Sequence, residues 1–282
     1  MTTSGRPPIA ELERIARTLR RHIIETTTLA GSGHPSSSVS MVEILTALFF
    51  GRVLRHNPEK PGWPDRDRFI LSKGHGCPGL YAVLAERGYF PVSWLKDLRQ
   101  IGSPLEGHPN MTRLPGIEAS TGSLGQGLSI GIGHALAARL DDRAYRTYVM
   151  IGDGEAQQGQ VWEAAMTAGK YGLDNLTAIL DLNRFQQTGR LEDVMPALEP
   201  VKAKWEAFGW YVMEIDGHNF SQVFAALEKV RSVKVKPQII VARTVKGKGI
   251  RIIEEETAGN RKHGVPLTEE EAKIALAELA RE

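Results

Sequence analysis

Asp153 stands between two glycines directly after the apolar run "TYVMI", and Asn183 stands thirty residues further on, directly after a second such run, "LTAILDL". Both runs read as strands, and the segment between them reads as a helix. In a parallel sheet, a crossover helix brings the carboxyl ends of consecutive strands side by side, where open α/β sheets bind ligands. A carboxylate oxygen and an amide oxygen at such an edge suit a hard cation such as Mg²⁺, which takes oxygen ligands and shares them with substrate phosphates. Gly152 and Gly154 permit close backbone approach, and the N-terminus of the helix that follows favours a phosphate group. Either residue alone reads as a tight turn or a helix cap. The pair, in strand-helix-strand context, reads as a site.

Four of the eight histidines lie beside glycine or proline in loops: His34 in "GHP", His75 in "KGHG", His108 in "GHP" and His263 in "KHGVP". Imidazole donates hydrogen bonds and exchanges protons near neutral pH, so loops converging at the sheet edge would supply acid-base groups beside the cation. No short metal-site spacing relates these histidines and Cys77 is the only cysteine, which makes zinc a poor reading. The remaining histidines read as packing or surface residues (His22, His56, His134) or as a turn cap (His218 in "DGHN"). Cys77 reads as a small buried hydrophobe.

Elements able to position these residues recur along the chain. "PPIAELERIARTLRRHIIETTTLA" has apolar residues at helical spacing and ends at Gly31, and one helix is expected over "SVSMVEILTALFFGRVL". Strand-like "RFILS", "TYVMI", "LTAILDL", "WYVMEID" and "PQIIVAR" then alternate with helical segments, which predicts an α/β fold, a parallel sheet with helices on both faces. Thr268 and Glu271 form a capping box ahead of a last amphipathic helix. Neither a repeat nor a low-complexity linker divides the 282 residues, so a single domain over 1–282 is expected.

Lysine and arginine total 35 against 33 acids, a formal charge of +2 with no basic stripe for nucleic acid. The apolar run "ILTALFF" is far short of the roughly 20 residues that cross a bilayer. One cysteine and no targeting signal make a cytoplasmic protein the default.

"GDGEAQQGQVWEAAMTAGKYGLDNLTAILDLNRFQ" resembles the cofactor-binding segment of the transketolase family. The resemblance extends through "SGHPSSSVS", "LSKGHG", "EGHP" and "TGSLGQG" to "ARTVKGKG" and "HGVPLT", nearly the whole chain. It implies a thiamine diphosphate-binding fold (the diphosphate, or PP, domain). Asp153, Asn183 and the Phe185 main-chain carbonyl would ligate Mg²⁺, or Ca²⁺ or Mn²⁺ in its place. Gly122, Leu124 and Gly154 would line the cofactor and His75 would contact its diphosphate. His108 would contact the donor's hydroxyl, with His34 and His263 in proton transfer.

Two positions depart from the family pattern. Gln158 replaces an acid that relatives place in a hydrogen-bonded network between two active sites, and Thr188 replaces an aspartate before Gly189. The resemblance also places the glutamate that activates the cofactor's aminopyrimidine, and the aromatic residue stacked on it, in a following domain. The residues after "HGVPLT" make one short helix, so a separately encoded pyrimidine-binding subunit is expected, in a heterotetramer with two of each chain. The activity implied is transfer of a two-carbon ketol unit from a ketose or ketose phosphate donor to an aldose acceptor. A carboligase with a non-standard donor or acceptor is the alternative. A noncatalytic subunit is the reading from another class, and a scaffold has no physical need for this polar set.

Overall fold

The computed structural model describes residues 5–258 and 263–281. In chain order the elements are α1 (Ile9–Ala30), α2 (Pro35–Val39), α3 (Val42–Phe49), β1 (Arg68–Leu71), α4 (Cys77–Glu86), α5 (Gln126–Leu140), β2 (Thr147–Gly152), α6 (Gly159–Tyr171) and β3 (Leu176–Leu182). A small hairpin of β4 (Phe185–Gln186) and β5 (Gly189–Arg190) follows, then α7 (Leu191–Val194), α8 (Val201–Ala207), β6 (Tyr211–Asp216), α9 (Phe220–Ser232), β7 (Gln238–Arg243), α10 (Arg251–Ala258) and α11 (Glu269–Leu279).

All five runs expected as strands form one parallel sheet in the order β1-β2-β3-β7-β6. Period-two alternation divides its side chains between two cores. On one face Tyr148 and Met150 of β2, with Ile179 and Ile240, pack against α1, α3, α4 and α9; on the other, Val149 and Ile151, with Leu180 and Val241, pack against α5, α6 and α8. Strands buried on both faces are near-continuous in apolar residues, as parallel strands must be. Helix α1 docks through Leu12, Ala16, Leu19 and Ile23, all buried. Each larger side chain contributes about 1.5–3 kcal/mol, so packing and not intrinsic propensity holds the helix.

Helix α1 ends at Gly31 and α11 opens with the reciprocal Thr268 and Glu271 capping box, both as expected. The single helix expected over residues 38–54 is not formed. The segment divides into α2 and α3 at Ser40 and Met41 and is no longer helical beyond Phe49. The break coincides with contacts to distant residues. The Ser37 carbonyl accepts the buried Lys73 ammonium at 2.9 Å, and the Ser40 hydroxyl turns away to Asp181 at 2.7 Å.

Candidate active site

Four adjacent strands deliver their carboxyl ends to one cavity of about 400 Å³: β1 leads to Lys73 and His75, β2 to Asp153, β3 to Asn183, and β7 to Lys246. Every residue that the sequence assigns to the site lines it, namely His34, His75, His108, Gly122, Leu124, Asp153, Gly154, Asn183, Phe185 and His263, together with Gln158 and Thr188.

Asp153 is only 2% exposed. Its Oδ1 accepts the Gly154 N–H at 2.8 Å and its Oδ2 the Arg184 N–H at 2.6 Å. Burial, reinforced by Asp181, pushes its carboxyl up to about 7 despite those two bonds and the Lys73 charge. A carboxylate this dry is one that a cation would keep ionised. Asn183 donates through Nδ2 to Asp181 at 3.2 Å, while its Oδ1 accepts the Phe185 N–H at 3.1 Å. Asp181 thereby fixes the sense of the amide, its nitrogen toward Asp181 and its oxygen toward the Phe185 N–H.

Asp181 is fully buried at the end of β3 and pairs with Lys73, which is 1% exposed. Its other donors are the hydroxyls of Ser40 and Thr244 and the amide of Asn183. Burial alone would raise its carboxyl; Lys73 and these hydrogen bonds outweigh that and hold it below the ordinary carboxylate range. Glu155 braces the loops, accepting the N–H groups of Gly125 at 2.8 Å and Gly152 at 3.0 Å and the Ser72 hydroxyl.

Basic groups crowd the opposite wall. The His34 ring lies 5.1 Å from His75 and 5.6 Å from His263, centroid to centroid, and Lys246 contacts His263 Nδ1. Burial, then the neighbouring positive charges, lower His34 to about 4, His263 to about 3 and His75 well below its usual value; burial lowers Lys246 to about 8 against the opposing pull of Asp153. His108 is lowered by burial and by Arg99. Five bases whose charged forms are suppressed by burial and by nearby positive charge form a pocket that an anion would relieve. Its packing is tight. A Cβ at Gly122, whose φ is +150°, would lie 3.0 Å from the His108 ring, and one at Gly264 would lie 2.9 Å from His34 Nε2.

Oxygen donors facing a cluster of bases at the carboxyl edge of a parallel sheet are the means by which α/β proteins hold a phosphate-bearing ligand through a hard cation. Known proteins narrow that class. Residues 12–280 match the family model described as transketolase, thiamine diphosphate binding domain. The 6-deoxy-6-sulfo-D-fructose transketolase subunit SqwG of Clostridium sp. is 45% identical over 96% of this chain and 97% of its own. An apulose-4-phosphate transketolase subunit of Phocaeicola vulgatus is 40% identical over 96% of this chain and 95% of its own. The solved transketolase of Campylobacter jejuni superimposes with a TM-score of 0.90 at 35% identity, over 97% of this chain and 43% of that one. The chain thus spans less than half of that solved chain. It belongs to the transketolase family and carries that family's thiamine diphosphate-binding domain.

Lys73, Lys246, Asp181 and Glu155 also contribute to the site, and none was singled out in the sequence. Lys73 and Lys246 sit in motifs quoted there for their histidine or glycines, "LSKGHG" and "ARTVKGKG", and each follows a strand as Asp153 does. That shared placement was the available signal. His218 does not simply cap its turn: its side chain bridges Glu43 at 2.9 Å and the Val245 N–H at 2.8 Å. His22 pairs with Glu86 at 2.7 Å, and His56 stacks on Tyr89, in the packing roles expected. Cys77 is buried, and burial pushes its thiol up to about 12.

Proposed function

We propose that this chain is the diphosphate-binding subunit of a split transketolase, one domain over its whole length, that transfers a two-carbon ketol unit from a ketose phosphate to an aldose acceptor. The observation that carries the reading is the joining of oxygen ligands and basic groups in one cavity. The donor set fits the cofactor complex. Asp153, Asn183 and the Phe185 carbonyl offer oxygens only, which suits Mg²⁺, Ca²⁺ or Mn²⁺. Buried His34 Nδ1 and Ser37 Oγ, which also line the cavity, have no hydrogen-bond partner among the described residues. Each is available to a ligand.

Bound thiamine diphosphate supplies the carbon nucleophile for breaking and remaking the ketol's carbon-carbon bond. The chain's own residues do the rest. Asp153, Asn183 and the Phe185 carbonyl would hold the metal, while His75, Lys246 and the backbone at Gly122 and Gly154 would hold the diphosphate. Leu124 packs against the cofactor. Neutral His34 and His263, kept uncharged by burial, take and return protons at the substrate's hydroxyl and carbonyl oxygens. His108, at the rim, binds a donor hydroxyl.

A pyrimidine-binding subunit would complete the site, in a cytoplasmic assembly with two of each chain. Relatives named as subunits, of which this chain covers nearly all, support that division. Among the described residues no helix is long and apolar enough to cross a membrane. The same relatives favour a second reading, a specialised carboligase with a non-standard sugar donor or acceptor. Mixing the purified subunits with Mg²⁺, thiamine diphosphate and a panel of ketose phosphates and sulfonates tests both. Ketol transfer arises only in the mixture, and turnover by this chain alone, shown partner-free by mass spectrometry, would refute the split. Which ketose is turned over separates the two readings.

A further inference from the structure

Lys246 is 2% exposed on the turn that follows β7, and its ammonium is held against His263. A four-carbon stem does not fix an ammonium unless the main chain beneath it is fixed. Two side chains grip that main chain at opposite ends. His218 Nε2 accepts the Val245 N–H at 2.8 Å, and Arg20 Nε donates to the Lys248 carbonyl at 2.8 Å. Both are held from behind by a single carboxylate: Glu43 Oε2 accepts His218 Nδ1 at 2.9 Å, and Glu43 Oε1 accepts Arg20 Nη2.

A backbone N–H can only donate, so His218 Nε2 is the bare nitrogen and Nδ1 carries the proton given to Glu43. The carboxylate thereby selects the tautomer that can receive Val245. It also neutralises and aims the guanidinium that receives the other end of the turn. Glu43 is 7% exposed and Arg20 6%, so water does not stand in for either contact.

We propose that Glu43, acting through His218 and Arg20, is the positioning residue that sets Lys246 in the cavity. The inference rests on the proposed role of Lys246 at the diphosphate. An isosteric amide at position 43 cannot serve both partners: its nitrogen would face either the guanidinium or the His218 proton, and a flipped tautomer would then set N–H against the Val245 N–H.

The test uses the full chain carrying Glu43→Gln, His218→Asn, His218→Gln or Lys246→Met. Amide hydrogen exchange is followed across residues 245–248, with calorimetric titration by magnesium diphosphate. The glutamine at 218 reaches the Nε2 position with its oxygen, and the asparagine does not. His218→Asn is expected to lose protection at Val245 and to bind magnesium diphosphate about threefold to tenfold more weakly, the loss of one hydrogen bond. His218→Gln is expected to recover most of both, and Glu43→Gln to lose at least as much as the asparagine variant. Wild-type protection in His218→Asn, or equal losses with asparagine and glutamine, overturns the proposal. So does lost protection with unchanged affinity where Lys246→Met does weaken binding. If Lys246→Met binds as wild type, the role of Lys246 at the diphosphate fails, and the exchange pattern still decides the clamp. Should Glu43→Gln fail to fold, the His218 pair decides alone.

Discussion

Lys73→Met removes the only cation paired directly with Asp181 among the described residues, and both side chains are essentially out of water. Taking one partner from a buried ion pair typically costs about 3–5 kcal/mol, because the remaining charge stays desolvated. Here the lower end applies. The Ser40 and Thr244 hydroxyls and the Asn183 amide still donate to the carboxylate. The expected loss at pH 7 is therefore about 3 kcal/mol, read from urea unfolding by the fluorescence of buried Trp205. Without Lys73 the folded-state value of Asp181 rises above its unfolded value of about 3.9. A raised value costs stability above the unfolded value, so the penalty relative to wild type is full at pH 7 and fades as pH falls toward 4. Adding Asp181→Asn leaves no charge to desolvate and is expected to return more than half of the loss. A penalty under about 1 kcal/mol at pH 7, or one that neither fades with acid nor yields to the second substitution, would show that Lys73 is not the counter-charge that keeps Asp181 ionised.

Asp153→Ala is expected to abolish Mg²⁺-dependent cofactor binding in the presence of the partner while leaving the melting temperature at or above wild type; unchanged affinity in a calorimetric titration would remove Asp153 from the metal site. His263→Ala is expected to lower kcat by about 10²- to 10⁴-fold with little change in cofactor affinity, and His75→Ala to do the reverse; indistinguishable variants would refute the division. Because burial holds His34 near 4 and His263 near 3, below an unfolded value of 6.5, the unfolded chain binds more protons in between. Asp153, raised to about 7, works in the opposite direction, but the lowered histidines His34, His75 and His263 outnumber it, so stability should fall as pH drops from 6.5 toward 4, and urea midpoints equal at pH 7 and pH 5 would contradict this. Gln158→Glu restores the family's acid at the cavity rim and is expected to change the cooperativity of cofactor binding in the assembled complex more than kcat; superimposable titration curves would discard a role for Gln158 in coupling.

The parts of this fold that follow from neighbouring residues could be read directly. Each strand of the sheet is a compact apolar run, the last helix opens on Thr268 and Glu271, and Asp153 and Asn183 end consecutive strands. The four loop histidines could be read too, since glycine and proline beside a polar aromatic mark a loop whatever the fold. What sequence could not show depends on long separations. Lys73 meets Asp181 across 108 positions, and His218 meets Glu43 across 175. "LTAILDL" gives no sign that its aspartate faces an ammonium instead of water. The break at Ser40 and Met41 belongs to the same group, because propensity alone continues the helix, whereas the distant Lys73 and Asp181 engage the Ser37 carbonyl and the Ser40 hydroxyl beside the break.

These distant pairings also explain why one site holds charges of both signs in poor condition. Asp153 is driven toward its neutral form by burial and by Asp181, while His34, His75 and His263 are driven toward theirs by burial and by the positive charges around them, and Lys246 by burial and by Lys73. The two groups relieve each other only in part: Asp153 raises Lys246 and Lys73 lowers Asp153, yet Asp153 makes no ion pair with Lys246 or the histidines among the described residues. A metal diphosphate answers both at once, the cation against Asp153 and the phosphate oxygens against the bases. Each half of such a ligand raises the local field that favours the other, so metal and diphosphate should bind with mutual reinforcement. By the reciprocity of linkage, the factor by which Mg²⁺ tightens the diphosphate must equal the factor by which the diphosphate tightens Mg²⁺. Independent binding of the two, in titrations run in either order, would mean that the two walls of the cavity do not act on one ligand.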